Sequence, residues 1–258
     1  NNYNVTTPNS APFQQMGVQP GDVTSSTNAA PFAWARNGSR IAYVFGPLGA
    51  TDFLRVTDGS GNLLVSFGHK DIFSPSFSPD SRNLIYVGTE TNGAQSLIVV
   101  DADNRKREFF PARDNGGSRE SFRGVAWGKW IYFVSNFTGA FEIWLMNEDG
   151  TGPRQLTTDR RENGSPAVSA DGTKIAYYSK QADNSYQIMI ANADGSGARK
   201  LTTSGNNFTP VWSPDGNWIA YFSSTVGDIM VIDKNGNQNQ HLTKCQPSQR
   251  CQLPGAWR

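Results

Sequence analysis

The sequence predicts an all-β fold, a six-bladed β-propeller whose blades are four-stranded antiparallel sheets. Three observations lead to this prediction. A unit with one order of signals recurs every 41–50 residues, which is the length of a propeller blade. Each unit contains short runs of strand-forming residues separated by turn residues. The composition, with 26 Gly, 14 Pro and 12% aromatic residues, suits short strands and tight turns better than long helices.

The first strand of each unit ends on a large or branched apolar residue. In the clearest copy it reads Thr209-Pro-Val-Trp212, and the equivalent positions are Trp34, Phe77, Trp127, Val168, Trp212 and Trp257. Large rings at a repeated position are more typical of packing between blades than of a single ligand cage. We therefore predict that these tryptophans pack between neighbouring blades.

A tight turn and a second strand follow. The turn Ser213-Pro-Asp-Gly216 combines a proline with fixed φ, an Asp that bonds its own backbone and a Gly that accepts positive φ. Its counterparts begin at Ser78, Ser169 and Ala35. The runs after it are continuously apolar, as in Ile219-Ala-Tyr-Phe222, which favours strands buried on both faces.

The third and fourth strands complete the unit. An apolar run such as Gln187-Ile-Met-Ile190 leads into a second turn rich in Asp, Asn and Gly, such as Asn192-Ala-Asp-Gly195. A short fourth strand follows, for example Arg199-Lys-Leu-Thr202. These acidic turns recur in every unit, so we interpret them as turn formers and predict no metal site there.

A sixth blade is needed to close the ring, because the chain stops inside a sixth first strand. We predict one domain over residues 1–258, with blades that start near residues 30, 74, 122, 164 and 208 and a sixth that combines 253–258 with 1–29. Strands from both chain ends in one blade remove the free edges. This blade lacks a candidate second strand, so a shortened sixth blade is the alternative.

Composition also bounds the partners. The net charge of +1 comes from 23 basic and 22 acidic residues spread along the chain, which disfavours nucleic acid as a partner. No apolar run reaches the roughly 18 residues of a membrane span, so we expect no direct membrane insertion and a monomeric, soluble unit. The chain begins with Asn1 and shows no signal sequence, which suggests a processed chain or a domain of a longer protein.

The two cysteines, Cys245 and Cys251, lie in a polar segment near the C-terminus. They form either a short-loop disulfide or two free thiols, and two sulfurs alone make a poor zinc site. A disulfide would imply an oxidising, extracytoplasmic compartment.

The repeat resembles that of the TolB-like propellers. The shared pattern is Pro-x-Trp-Ser-Pro-Asp-Gly at 210–216, Ile-Ala-Tyr at 219–221, and the later turn and Arg-x-Leu-Thr segments, and it covers about residues 30–258. The resemblance implies a six-bladed periplasmic propeller that binds a partner protein and has no chemistry of its own. Members of that family carry a separate N-terminal domain that this sequence lacks, so the partner's identity does not carry over.

Catalytic chemistry finds little support in the residues. The two imidazoles are His69, expected in a loop between blades, and His241, expected on an outer strand. A nucleophile, base and orienting group are not grouped by any motif, and the Gly-x-Ser-x-Gly elbow of propeller-bearing peptidases is missing from the sequence. We predict no enzyme activity and no cofactor, with a metal ion bound in the channel as the alternative.

The connectors between blades are the predicted binding site, because loops vary while repeats preserve the ring. They lie at 111–123, 158–164 and 204–208 and should emerge on one face around the channel mouth. The predicted partner-binding residues are His69, Lys70, Arg113, Arg119, Arg123, Arg160, Arg161, Asn163, Asn207 and Phe208. We expect a protein or peptide partner. The alternatives are a glycan or small ligand, or a role as the propeller of a larger enzyme or receptor.

Overall fold

The computed structural model describes residues 32–45, 52–69, 71–89, 93–101, 107–111, 114–115, 118–119 and 121–243. These residues form strands and turns and contain no helix. The described part of the chain therefore has no helix long and apolar enough to cross a membrane. Five four-stranded antiparallel sheets follow one another along the chain, each ordered by sequence. The all-β fold and its four-stranded blades are confirmed. The predicted sixth blade lies outside the described residues and stays a prediction.

The strand bounds follow the predicted repeat. The first blade comprises β1 (Phe32–Trp34), β2 (Arg40–Phe45), β3 (Asp52–Asp58) and β4 (Leu63–His69). The second comprises β5 (Ile72–Phe77), β6 (Asn83–Thr89), β7 (Gln95–Asp101) and β8 (Arg107–Pro111). A small hairpin, β9 (Asp114–Asn115) and β10 (Ser118–Arg119), then occupies part of the longest connector.

The remaining three blades have the same plan. The third comprises β11 (Phe122–Trp127), β12 (Ile131–Ser135), β13 (Glu142–Met146) and β14 (Arg154–Gln155). The fourth comprises β15 (Asn163–Val168), β16 (Lys174–Lys180), β17 (Tyr186–Asn192) and β18 (Arg199–Lys200). The fifth comprises β19 (Asn207–Trp212), β20 (Trp218–Ser223), β21 (Asp228–Asp233) and β22 (Asn239–His241).

The first strands lie innermost. Each contacts the first strand of the next blade, from β1 to β5, β11, β15 and β19 in turn, whereas the short β18 and β22 strands are exposed. Second and third strands carry continuous apolar runs because they are covered by blades on both sides. The apolar core therefore lies between the blades.

The turn after the first strand is fixed by a Ser–Asp pair. The hydroxyls of Ser78, Ser169 and Ser213 donate to Oδ1 of the Asp two residues later at 2.6, 2.6 and 2.5 Å. In the fourth blade this hydroxyl is the main reason that the pKa of Asp171 falls to about 2. The predicted role of these acidic residues in turn formation is confirmed.

Two of these turns touch across the molecule. The Arg36 guanidinium of the first blade donates from Nη1 to the Ala170 carbonyl of the fourth blade at 2.8 Å. The first and fourth blades are therefore in contact through the turns that follow their first strands.

Candidate functional site

Two sets of loops share one end of the blades. The connectors that join each fourth strand to the next blade lie beside the loops between second and third strands. Hydrogen bonds join them: Ser121 N donates to Asn136 Oδ1 at 2.6 Å, Lys180 N to Glu162 O at 2.8 Å, and Ser224 N to Asn206 O at 2.8 Å. We call this end the connector face, and the end with the Ser–Asp turns the turn face.

A charged and aromatic cluster lies on the connector face. Arg123 Nη1 contacts Glu162 Oε1 at 2.6 Å, and the Tyr186 hydroxyl donates to Glu162 Oε2 at 2.9 Å. The Arg123 guanidinium lies 3.5 Å above the Phe141 ring centre. Its side chain is nevertheless 48% exposed, so this cation remains open to solvent while its position is fixed.

Three aromatic rings extend the cluster. Tyr186 and Phe208 have centroids 4.8 Å apart, and Tyr178 lies 5.5 Å from Phe208 and 5.8 Å from Tyr186. Lys180 Nζ lies 6.0 Å from the Tyr186 ring centre. We call Arg123, Phe141, Glu162, Tyr178, Lys180, Tyr186 and Phe208 the connector-face cluster. Its half-buried rings and fixed charges are the composition found where proteins bind one another.

The tyrosines of this cluster act as neutral groups. Burial raises the pKa of Tyr178 to about 12, helped by the Glu162 carboxylate. Burial also raises the pKa of Tyr186, and its bond to Glu162 adds to the shift. Both phenols therefore stay protonated at neutral pH, and the Tyr186 hydroxyl keeps its bond to Glu162.

A β-bulge places Arg123 in this cluster. The β11–β12 register shifts between Phe122 and Gly124, so Arg123 has no partner across the ladder and its side chain is re-aimed. The sequence-based prediction put Arg123 at the end of a connector, and the structure places it inside β11 instead.

Below the surface, two connectors are tied to a polar residue at the start of a third strand. In the third blade Glu142 is fully buried and accepts hydrogen bonds from the Thr157 hydroxyl, from Arg160 N at 2.7 Å and from Asn163 Nδ2 at 2.9 Å. We call these four residues the Glu142 cluster. It joins one blade to the next.

The fourth blade repeats this arrangement with a neutral amide. Gln187 Oε1 accepts bonds from the Thr202 hydroxyl at 2.7 Å and from Asn207 Nδ2 at 3.3 Å. Its Nε2 donates to the Gly205 carbonyl at 2.9 Å. We call these residues the Gln187 cluster.

These clusters correct two predicted site residues. Asn163 and Asn207 are 1% and 2% exposed, and both amides are hydrogen-bonded within the fold. Both were predicted as partner contacts because they lie in connectors. The structure assigns them to blade-to-blade contacts, so we remove them from the candidate surface.

The other predicted residues are distributed as follows. Phe208 and Arg123 belong to the connector-face cluster, and the exposed Arg161 lies 4.0 Å from Asp159 on the same face. His69 ends strand β4 rather than lying in a loop, and its half-buried ring packs edge-on against Tyr86 with centroids 5.7 Å apart.

Five further predicted residues lie in segments with little or no description. Arg119 ends the small hairpin strand β10. Lys70, Arg113 and the cysteine pair Cys245 and Cys251 lie outside the described residues. The disulfide therefore stays a prediction.

Residues of the loops between second and third strands were missed. Phe141, Lys180 and Tyr186 belong to these loops or border them, and they lie outside the connectors that form the predicted site. The strand order itself carries the missing signal, because in a four-stranded antiparallel blade these loops and the connectors must emerge at the same end.

Arg160 adopts a left-handed backbone conformation, with φ of 56°. The equivalent position in the next connector is Gly205, with φ of 77° and no side-chain penalty. We expect Arg160→Gly to raise the free energy of unfolding by about 0.5–1 kcal/mol, measured by chemical denaturation. Arg161→Gly, at an ordinary φ, is the control and should lower it. Equal losses in both variants would contradict the assignment of strain to Arg160.

A shallow depression of about 230 Å³ lies on the same face. It is lined by Asp183, Asn184, Ser185, Gly205 and Asn206. The Asp183 carboxylate accepts bonds from the backbone and hydroxyl of Ser185 at 3.0 and 2.7 Å, so the loop that frames the depression is ordered. Among the described residues, no group of three or more side chains of the metal-binding types comes together.

The fold defines a β-propeller, and the loops at one end of its blades form the candidate binding surface. Residues 15–257 match the family described as TolB beta propeller domain. The chain belongs to that family, and the resemblance noted in the repeat is confirmed.

Individual proteins support the assignment. A Protein TolB homolog of Chlorobium luteolum is 30% identical over 57% of this chain and 33% of its own length. The Tol-Pal system protein TolB of Anaeromyxobacter dehalogenans is 32% identical over 50% of this chain and 29% of its own. The crystal structure of TolB from Acinetobacter baumannii superposes with a TM-score of 0.65 at 21% identity, over 81% of this chain and 53% of that one. The chain thus spans about a third of the length of these curated relatives.

Proposed function

We propose that this chain is a non-enzymatic, extracytoplasmic binding module that engages a protein or peptide partner through its connector face. The observation that carries the proposal is the connector-face cluster, in which Arg123 and three aromatic rings are held in place yet remain partly exposed. Rigid aromatic side chains and arginine lose little entropy on binding, which makes them effective contacts.

The relatives support this direction. One of them is named as a protein of the Tol-Pal system, so a component of that system is the first partner to test. The balanced charge of the chain agrees with a protein partner, because nucleic acids and anionic membranes attract strongly basic surfaces.

Partner capture tests the proposal. We expect Phe208→Ala and Arg161→Glu to weaken capture of a partner from the cell-envelope fraction of the source organism by at least about tenfold, as loss of a central contact does. Arg82→Glu on the turn face is the matched control and should leave capture unchanged. If all three variants capture the same proteins equally well, the connector face is not the binding surface.

The depression beside Asn184 and Asn206 supports a second candidate, a small polar ligand such as a glycan. Binding to the folded state must raise the unfolding midpoint. N-acetylglucosamine and its disaccharide should therefore raise the Tm of the native chain but not that of an Asn184→Ala variant. An unchanged Tm at millimolar sugar would eliminate these ligands.

A further inference from the structure

The Glu142 and Gln187 clusters differ in how the buried side chain contacts its connector: one side chain accepts a hydrogen bond there and the other donates one. Gln187 uses Nε2, a donor, against the carbonyl of Gly205. Glu142 uses Oε1, an acceptor, against the N–H of Arg160. Because Arg160 presents a donor where Gly205 presents an acceptor, the third blade requires an ionised carboxylate at the position where the fourth uses an amide.

A proton on Glu142 conflicts with this arrangement. If the proton sits on Oε1, it faces the Arg160 N–H. If it sits on Oε2, it faces two donors, the Asn163 amide and the Thr157 hydroxyl, which already accepts from Ile143 N at 2.9 Å. Protonation of Oε1 disturbs a single donor, so we expect the proton there, and Arg160 N–H is the group that loses its bond to Glu142.

We propose that Glu142 is a proton-sensitive anchor for the 158–162 connector. Protonation releases this connector and changes the positions of Arg160 and Arg161 on the connector face. The 203–206 connector, anchored by Gln187, is the insensitive counterpart. The inference rests on the geometry of the two clusters and does not require the proposed partner.

The surroundings of Glu142 favour proton uptake. Burial raises the pKa of this carboxyl, the Asp159 carboxylate adds to the rise, and the bonds from Thr157, Arg160 and Asn163 oppose it. The Arg161 cation lies beside Asp159, with Nε 4.0 Å from Oδ2. Tyr177 from β16 also faces the site, but burial raises its pKa to about 12, so it stays neutral.

The sign of the linkage follows from the raised pKa. The folded chain binds this proton more tightly than the unfolded chain, so Glu142's contribution to stability is fully present below its unfolded pKa of 4.5 and is lost as pH rises through the folded value. Protonation thus removes the cost of a buried charge while it breaks a connector bond. A local loosening without global unfolding is the expected result at mildly acidic pH.

Amide hydrogen exchange on the whole chain tests this, with each rate divided by the intrinsic rate at the same pH. We expect the protection of the Arg160 amide to fall by about tenfold or more from pH 8 to pH 4.5, the size expected for losing a bond to a charged group. Protection across the 203–206 connector should stay constant in the same sample. Constant protection at Arg160, or a parallel fall in both connectors, would overturn the proposal.

The variant Glu142→Gln gives a second reading. We expect the amide oxygen of this variant to face the Thr157 and Asn163 donors, as the oxygen of Gln187 does in its own cluster. Its Nε2 then faces the Arg160 N–H and cannot accept from it, so the Arg160 amide should be weakly protected at every pH. Gln187→Glu is the matched control: its ionised carboxylate would face the Gly205 carbonyl, so the 203–206 connector should be less protected at pH 8 than at pH 4.5, the reverse of the native 158–162 connector. If Glu142→Gln retains the pH profile of the native chain, another group is responsible and the proposal fails.

Discussion

Replacing Trp127 by Ala should lower the free energy of unfolding by about 3–5 kcal/mol. The indole is 3% exposed and packs in an apolar cluster that combines Ile85 and Leu97 of the second blade with Phe133 and Met146 of the third. Its removal leaves a cavity between two blades that the backbone closes only in part, because the contacts between β5 and β11 hold the two blades at a fixed spacing.

The hydrogen bond of the Trp127 indole adds to this loss of stability. Its Nε1 donates to Glu148 Oε1 at 3.0 Å, so truncation also leaves that carboxylate without its indole donor. Equilibrium unfolding in urea is the measurement, with Trp130→Ala as the control. Trp130 is only half-buried beside Lys129, and its truncation should cost clearly less. Equal losses in the two variants would mean that Trp127 does not hold the two blades together.

The repeat made most of the fold predictable. Local signals specify the strands and turns, since Ser213, Asp215 and Gly216 form the turn from their own backbone and side chains. Packing of Trp127 and Trp212 between blades followed from their recurrence and is confirmed. Trp34 is 36% exposed, so its place in the repeat did not predict how far it is buried.

The polar clusters could not be predicted from one blade. Glu142 begins a third strand, Thr157 lies two residues after a fourth, and Asn163 begins the next blade. Each is an ordinary polar residue in its own segment, and their contact depends on how two blades pack. A signal existed in the pairing of Thr157 with Asn163 and of Thr202 with Asn207, which recurs in successive connectors.

The connector-face cluster shows the same dependence on packing. Arg123 and Glu162 are separated by 39 positions and belong to different blades, and Tyr186 reaches them from a third segment. The sequence places Arg123 and Phe208 near one face, but the salt bridge and ring contacts arise only when blades three, four and five are assembled.

Replacing Gly164 by Ala should lower the free energy of unfolding by about 2–3 kcal/mol and disorder the connector-face cluster. Gly164 pairs with Tyr178 across β15 and β16, and an added Cβ would lie 2.5 Å from Cζ and 2.7 Å from Cε1 of that ring. The ring also contacts Tyr186 and Phe208, so a displacement large enough to relieve the overlap disturbs both ring contacts.

Two further variants distinguish the steric overlap with Tyr178 from a general effect of replacing glycine by alanine. Gly59→Ala is the control, because its added Cβ would meet only backbone oxygens at 3.7 and 4.0 Å, and its cost should stay below about 0.5 kcal/mol. Adding Tyr178→Ala to Gly164→Ala should cancel most of the overlap penalty, which a double-mutant cycle measures as a coupling energy. If the two substitutions were simply additive, contact with Tyr178 would not be the reason that residue 164 is glycine, and the rings would not depend on this close approach of the backbone.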